Sequence, residues 1–419
     1  MEVSDSRQAE EQPLPKRPLW TNRDFLLRLS GETISTFGSA ISDLAFPLLV
    51  LILTESPAQT GLTLGLEVLP FLLFSLPAGA WIDRWNRKYV MIFCDLGRAL
   101  ILVSIPLALF TGHLTIIQLY CAAFVEGTLA IFFEIAGLSG FSRIVSRQQV
   151  PQALTVAGVS NGTAAIVGQP ISSFLFFTIG RSVPFLFDAV SYVLSAFSLL
   201  FIKTPLQQHR EATPRHLRKE IVEGFMWLWE RPLFRFQALL GCGLSFVAYT
   251  ETLVVLLLAQ RLHALSSTTG FIFLLGSLGG IVGSLIASPV IHRFNFGQIM
   301  ISTFWMRALL WPLYALAPSP LVLGMIMFGL TLVEAISSNT NVSYRLALVP
   351  DHVQGRVNSV HRLFGYGIGR PLGVIVAGAL CQSIGVIPTI LIFFAGWIML
   401  AISMALNVHV RNVPKLAGI

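Results

Sequence analysis

Charge is what this chain lacks. Asp, Glu, Lys and Arg make up 12% of its 419 residues, about half the share of an ordinary soluble chain. With 54% hydrophobic residues and a mean hydropathy of +0.73, such a chain is a poor candidate for life in water. Cysteine is scarce too. Cys94, Cys121, Cys242 and Cys381 all lie in apolar runs without CxxC pairing, which excludes a disulfide framework and a zinc site. The five lysines (Lys16, Lys88, Lys203, Lys219, Lys415) all lack a preceding glycine, so no GxxxxGK[ST] phosphate loop exists and ATP-driven transport within this chain is excluded. The eight histidines sit mostly in loops with no catalytic neighbour at suitable spacing. We therefore expect no enzyme, no cofactor and no metal. Phe outnumbers Tyr and Trp, 31 against 7 and 8, so no aromatic cage is legible, although Tyr249, Tyr344 and Tyr366 stand as candidates. Residues 1–24 hold no apolar stretch and read as a polar tail rather than a signal peptide.

What is present is a series of long apolar runs. Punctuated by Pro, Gly and charge, they give twelve candidate spans near 25–53, 58–82, 89–110, 115–141, 155–179, 183–202, 233–260, 266–291, 299–317, 320–344, 358–380 and 387–408. Of 28 Lys and Arg, 20 fall in the tails and in loops on the side of the termini, and two (Arg181, Arg261) on the other side. Because basic loops stay inside, both termini are expected in the cytoplasm. The same bias explains the pI near 9.5 without nucleic acid. The expected organisation is a tail at 1–24, a six-helix bundle at 25–202, a cytoplasmic linker at 203–232, a second six-helix bundle at 233–408 and a tail at 409–419. In the linker, Leu217, Ile221, Phe225 and Leu228 at helical spacing predict an amphipathic helix lying on the membrane surface.

The halves repeat one another. Thr60-Gly61 recurs as Thr269-Gly270, Ser75 as Ser284, Arg84-Trp85-Asn86 as Arg293-Phe294-Asn295 and Arg98-Ala99-Leu100 as Arg307-Ala308-Leu309, each 209 residues on. Near that offset Asp43 falls on Glu251 and Val125-Glu126 on Val333-Glu334, both 208 apart. Six spans per half keep the repeat parallel, as in transporters that rock two bundles about a midplane site. The expected fold is an all-α membrane protein of two six-helix bundles.

Between spans 2 and 3 stands Gly79-Ala-Trp-Ile-Asp83-Arg84-Trp-Asn-Arg87-Lys88. It resembles the GxxxDRxxRK signature of the major facilitator superfamily. Thr54-Glu55-Ser56-Pro57, Leu69-Pro70, Leu76-Pro77-Ala78-Gly79 and Asp95 with Arg98-Ala99-Leu100 resemble the branch holding macrolide-efflux proteins and the enterobactin exporter. The resemblance implies a proton-coupled secondary transporter, most often an exporter. Two departures are visible: the second loop copy, His292-Arg293-Phe294-Asn295-Phe296-Gly297, has lost its Asp, and the span 5 exporter motif reads Gly168-Gln169-Pro170.

Ionisable groups inside a span normally face a cavity. Glu32 and Asp43 on span 1 lie only about 20° apart around the helix axis, with Thr36 and Ser39 between them on one polar stripe. On span 10, Glu334, Ser338, Asn341 and Arg345 fall within about 60°. Glu126 and Glu334 are expected near the bilayer centre, where burial disfavours the charged carboxylate unless a cation is close. Both are proton-carrier candidates, with Arg370 the expected partner of Glu334 and no Arg on the span of Glu126 itself. Asp43, Glu32 and Glu251 complete the proton-coupling set, Glu67 lies at a depth comparable to Asp43, and Asp188 reads as an interfacial cap. The substrate-cavity candidates are Thr36, Ser39, Ser338, Asn341, Arg370 and Tyr366. Gly79, Asp83, Arg84, Arg87, Lys88, Asp95 and Glu134 form the expected gating group, with Arg87 and Lys88 pairing to Asp95 and Glu134 and Asp83 meeting the start of span 11 around Asn358-Ser359. Arg98 and Arg307 look structural.

The expected function is a proton antiporter exporting amphipathic small molecules such as drugs or secondary metabolites. The alternatives are a siderophore exporter or an importer of the same fold, whose anionic cargo would use Arg370 and Arg362. The expected partners are a small-molecule substrate, protons and the lipid bilayer of the cell membrane, without nucleic acid and with the chain as a monomer.

Overall fold

The computed structural model describes residues 18–82, 84–146, 149–206, 226, 229–264, 267–348 and 362–411. Twelve helices in it are long and apolar enough to cross a membrane. Spans 1 to 6 are Arg23–Thr54, Pro57–Ser75, Arg87–Thr111, Ile116–Gly137, Gln152–Ile179 and Val183–Leu200. Spans 7 to 12 are Arg235–Arg261, Thr268–Arg293, Phe296–Leu316, Pro320–Arg345, Leu363–Ile384 and Val386–Leu406. They follow the expected runs in order. Most of the linker helix around Leu217–Leu228, Asp83, Asn358-Ser359, and residues 1–17 and 412–419 of the tails lie outside the described residues.

Local chemistry sets the span ends. Asn22, Asn86 and Thr115 cap spans 1, 3 and 4 by accepting from the backbone N–H of Phe25, Lys88 and Gln118, which satisfies donors that a helix leaves free. At the start of span 9 the Gln298 side chain accepts from the Asn295 backbone N–H at 3.1 Å, half of a capping box. Gly112 stops span 3 in the left-handed region at φ 73° and Gly385 separates spans 11 and 12 at φ 89°, conformations that cost glycine nothing. Asn22 also donates to the Ile144 carbonyl at 2.8 Å, tying the start of span 1 to the end of span 4.

Span 7 is not the single helix its hydropathy predicts. It runs as Pro232–Ala248 and then Glu251–Arg261, interrupted at Tyr249-Thr250. Facing the first of these segments, span 11 begins as a π-helical stretch, Leu363–Gly369, before regular helix resumes at Arg370. Glycine permits the approach: a Cβ on Gly369 or Gly373 would collide with the Cys242 or Phe246 carbonyl of span 7. Interrupted and π-helical turns free backbone groups and re-aim side chains, and they collect at functional sites.

The halves meet along two seams related by the repeat, span 2 on span 11 and span 5 on span 8. A Cβ on Gly61 would stand 2.7 Å from the Val374 carbonyl oxygen, and one on Gly270 would stand 2.8 Å from that of Pro170. Both seams lie at the ends of the spans remote from the termini, where Ser56 also donates to Gln382 at 2.9 Å. At the terminal end the halves are bridged by Arg362 and Glu134, 2.5 Å apart. Between these levels, spans 1, 2, 4, 10 and 11 carry the ionisable side chains Asp43, Glu67, Glu126, Glu334 and Arg370.

Candidate functional site

Asp43 is exposed although its chain neighbours Ser42 and Leu44 are buried. Its carboxylate lies within electrostatic range of Glu126, Arg370 and Arg98. Half-buried Glu67 on span 2 shares those charges and Asp43 as well. Carboxylates from spans 1, 2 and 4 therefore gather within electrostatic range of a guanidinium from span 11. Arg370 has no ion pair among the described residues, and its guanidinium stands 4.5 Å over the ring of Tyr249. Tyr249, at the interruption of span 7, lies 5.9 Å from Tyr366, and Tyr366 lies 6.2 Å from Phe71 of span 2. Arg362 covers Phe71 at 5.3 Å and Tyr366 at 5.9 Å. These contacts make a continuous ladder of rings and cations across both halves. Tyr366 stays open, 43% exposed. Tyr344 does not: it is buried against Phe296 at 4.9 Å.

Glu126 is held rather than free. Arg98 Nε donates to its Oε1 at 2.8 Å, Arg98 Nη2 reaches the same oxygen, and the Tyr192 hydroxyl donates to it at 3.0 Å. The lack of an Arg on span 4 was no guide, because the cation arrives from span 3. Glu334 does not pair with Arg370. Its Oε2 lies 2.6 Å from Arg307 Nη2, since Arg307 is buried directly beneath it while Arg370 turns to the Tyr249 ring. Arg98 and Arg307 are thus the counter-charges of Glu126 and Glu334. Glu251, the repeat counterpart of Asp43, accepts from the Tyr314 hydroxyl at 2.5 Å.

Lower on span 1, Glu32 pairs with Arg28 at 2.9 Å and accepts from Asn161 at 2.9 Å. Ser39 bonds the Tyr192 hydroxyl at 2.7 Å, and Thr36 is half-buried on the same stripe. On span 10, Ser338 is exposed and Asn341 half-buried. Asp188 is no interfacial cap. It is fully buried, receives the Ser42 hydroxyl and accepts from Ser191 at 3.0 Å, which clamps span 6 to span 1.

The gating residues assemble differently from the expected pairs. Lys88 donates to the carbonyls of Leu200 and Ile202 at 2.9 and 2.8 Å, capping the end of span 6 rather than meeting a carboxylate. Arg87 reaches the Leu206 carbonyl at 3.4 Å, and Arg84 is exposed. Asp95 is wholly buried beside Ser195, with Arg98 and Arg28 the nearest cations. It therefore faces the interior of the first half and not the second. Glu134 does cross to the second half, but to Arg362. Gly79 has no described atom within 4 Å of where a Cβ would stand. Among the described residues no group of His, Cys, Asp and Glu could hold a metal ion.

Tyr192 and Arg307 were missed as parts of the site. The available signal was the repeat itself, which carries an Arg and a Glu together at offsets of 209 and 208. Two buried opposite charges that recur as a pair are expected to meet.

Twelve helices long and apolar enough to cross a membrane, with charges of both halves gathered among them, define a multi-pass membrane transporter. The sequence profile described as Major Facilitator Superfamily matches residues 29–374, and the chain belongs to that family. It is 25% identical over 379 residues to the multidrug efflux pump Tap of Mycolicibacterium fortuitum, covering 87% of this chain and 91% of that one. It is 24% identical over 349 residues to the enterobactin exporter EntS of Escherichia coli, covering 82% of each. Among solved structures, a bacterial homologue of the human lysosomal transporter Spinster, inward-facing and unoccupied, superposes with a TM-score of 0.76 at 14% identity, over 94% of this chain and 98% of that one. The nucleoside transporter NupG superposes at 0.71 and 15% identity, over 93% and 100%. Members of the family move small molecules within a membrane, and in a bacterium that membrane is the inner one.

Proposed function

We propose that the chain is a proton-driven antiporter that exports amphipathic small molecules by alternating access. The observation that carries this reading is Asp43, an exposed mid-span carboxylate with Glu67 of its own half and Arg370 of the other half within electrostatic range. Two acids facing one unpaired guanidinium leave one carboxylate in excess, which can hold either a proton or a cationic cargo. The rings of Tyr249, Tyr366 and Phe71 offer the apolar part of such a cargo a stacking surface. Both termini lie in the cytoplasm on this reading, in keeping with the basic loops. The chain works as a monomer of two bundles, 25–202 and 233–408, joined by a linker, without nucleic acid, catalysis or a cofactor. The relatives Tap and EntS, an efflux pump and an exporter, support the outward direction.

A second reading has one observation in its favour. Arg370 stands over Tyr249 with no ion pair among the described residues, so an aromatic anion, a siderophore included, would find a counter-charge and a ring side by side. The experiment is accumulation of dyes and antibiotics in an efflux-deficient bacterium making the protein, with and without a protonophore. Lower accumulation that the protonophore restores supports proton-driven export. Lower accumulation that it leaves untouched refutes the proton coupling. A panel in which only aromatic acids respond replaces the first reading with the second.

A further inference from the structure

Span 1 has three faces with partners and a fourth that the bundle leaves uncovered. Gly31 and Gly38 turn to span 6, where a Cβ on either would strike Ser198 or Ser191. Phe37 and Ala40 turn to span 5, against Gly168. Glu32, Thr36 and Asp43 make up the polar stripe. Between the span 5 and span 6 faces lie Leu26, Ser30 and Ile34, all exposed. The polar stripe stands about 120–160° around the axis from Ser30. The uncovered face therefore looks out of the bundle toward lipid, away from the carboxylates.

This face holds a groove of about 640 Å³, with Ser160 of span 5 on its far side. Leu26, Leu27 and Ile34 make its walls apolar. Its hydroxyls are already engaged. Thr21 donates to the Pro18 carbonyl at 2.8 Å, Ser30 to that of Leu27 at 3.2 Å and Thr33 to that of Leu29 at 2.8 Å. Thr33 and Ser160 bond one another at 2.8 Å. Arg23 is the charged residue of the lining. It is exposed and has no ion pair among the described residues. The adjacent Asp24 is engaged elsewhere, accepting from the Thr204 backbone N–H at 2.8 Å and the Thr204 hydroxyl at 2.5 Å.

Depth identifies the occupant. Arg23 is the first residue of span 1, and Trp20 just before it is 60% exposed, a ring suited to the headgroup level. From Arg23 to Ile34 the helix rises about 16 Å, close to the ~15 Å depth of one leaflet's hydrocarbon. A free cation at headgroup level above an apolar trough one leaflet deep matches a molecule with an anionic head and an acyl chain. A small soluble anion would leave the trough bare, and an uncharged lipid would leave Arg23 without a counter-charge. We propose that this groove binds one anionic phospholipid from the leaflet on the side of the termini, with its phosphate on Arg23 and an acyl chain along Leu26 and Ile34 against span 5. The bound chain covers the Thr33–Ser160 bond from outside and braces span 1 on span 5. The site needs neither cargo nor a proton gradient.

The test uses the purified full chain in phosphatidylcholine nanodiscs doped with phosphatidylglycerol carrying a diazirine on its acyl chain. After illumination, peptide mass spectrometry compares label on residues 26–34 with label on Val190, Leu194 and Phe197, exposed residues of span 6 that serve as the bulk-lipid reference. Span 1 labels in excess of span 6, and the excess disappears when the diazirine is carried by phosphatidylcholine. Arg23→Gln lowers the excess about fivefold, what one basic residue contributes toward an anionic lipid, while Arg23→Lys retains most of it. Ile34→Trp, which fills the trough, removes the excess with Arg23 in place. Unchanged span 6 labelling shows that each variant is folded and inserted. Equal labelling by the two lipids in the unaltered protein would overturn the proposal, and that comparison needs no variant. So would an excess that Arg23→Gln leaves intact, because the groove would then hold any acyl chain.

Discussion

Gly61 sits where one added carbon forces two helices apart. A Cβ there would stand 2.7 Å from the Val374 carbonyl oxygen, 2.9 Å from the Gly378 Cα and 3.2 Å from the Gly378 nitrogen. All three are backbone atoms of span 11, so no rotamer change relieves the contact and the seam must open by several tenths of an ångström. Overpacking of this kind costs about 1–3 kcal/mol. The cost falls only on the state in which the seam is closed, so Gly61→Ala shifts the equilibrium toward the state open at that end by about fivefold to 150-fold. Spin labels on cysteines replacing Glu55 and Ser383, both exposed beside the Ser56–Gln382 bond, report the opening as growth of a longer distance population. Gly378→Ala gives the same shift from the other side, since its Cβ would lie 2.7 Å from the Pro57 carbonyl. Gly270→Ala repeats it at the second seam, and Gly280→Ala, with open space around it, changes nothing. A folded Gly61→Ala protein with the distance distribution of Gly280→Ala would refute the seam as the closed gate.

Other perturbations follow from the same contacts. Arg98→Met strands Glu126 in the interior and lowers stability by about 3–5 kcal/mol, whereas Arg98→Met combined with Glu126→Met recovers most of the loss; thermal unfolding in detergent measures both. Tyr192→Phe removes one hydrogen bond to a charged group and costs about 1.5–3 kcal/mol by the same assay. Arg362→Gln and Glu134→Gln each break the bridge at the terminal end, and with spin labels at that end both increase the open population to a similar degree. Asp43→Asn keeps shape and loses the titrating group, so gradient-driven transport stops while membrane insertion is unchanged.

Much of the fold could be read from hydropathy and repetition. The twelve runs, their order and the parallel repeat all depend on composition averaged over about twenty residues, a property that tertiary contacts scarcely alter. The interruption of span 7 could not be read this way, because Tyr249 and Thr250 are neither Pro nor Gly and the run stays apolar through them. Gly365, Gly369 and Gly373 of span 11 press against residues 241–246 just before it, a contact that no local pattern in span 7 announces. The same division holds for the site. Depth singled out Asp43, Glu126 and Glu334, since a charge in mid-span is conspicuous. Partners were harder to foresee: Arg370 and Arg307 lie on different spans, and distance along the chain says nothing about which of them reaches Glu334. Asp188 was misjudged for a related reason. Its position near a span end suggested the interface, but it is wholly buried and accepts from the Ser42 hydroxyl of span 1.

Coupling itself is tested most directly in proteoliposomes holding the purified protein and a pH-sensitive dye in the lumen, with a cargo identified in the accumulation panel added outside. Cargo entering down its gradient should drive protons out and make the lumen alkaline, and Asp43→Asn and Glu334→Gln should each abolish the signal. Cargo that crosses at the full rate with no change in lumenal pH would contradict the antiport account.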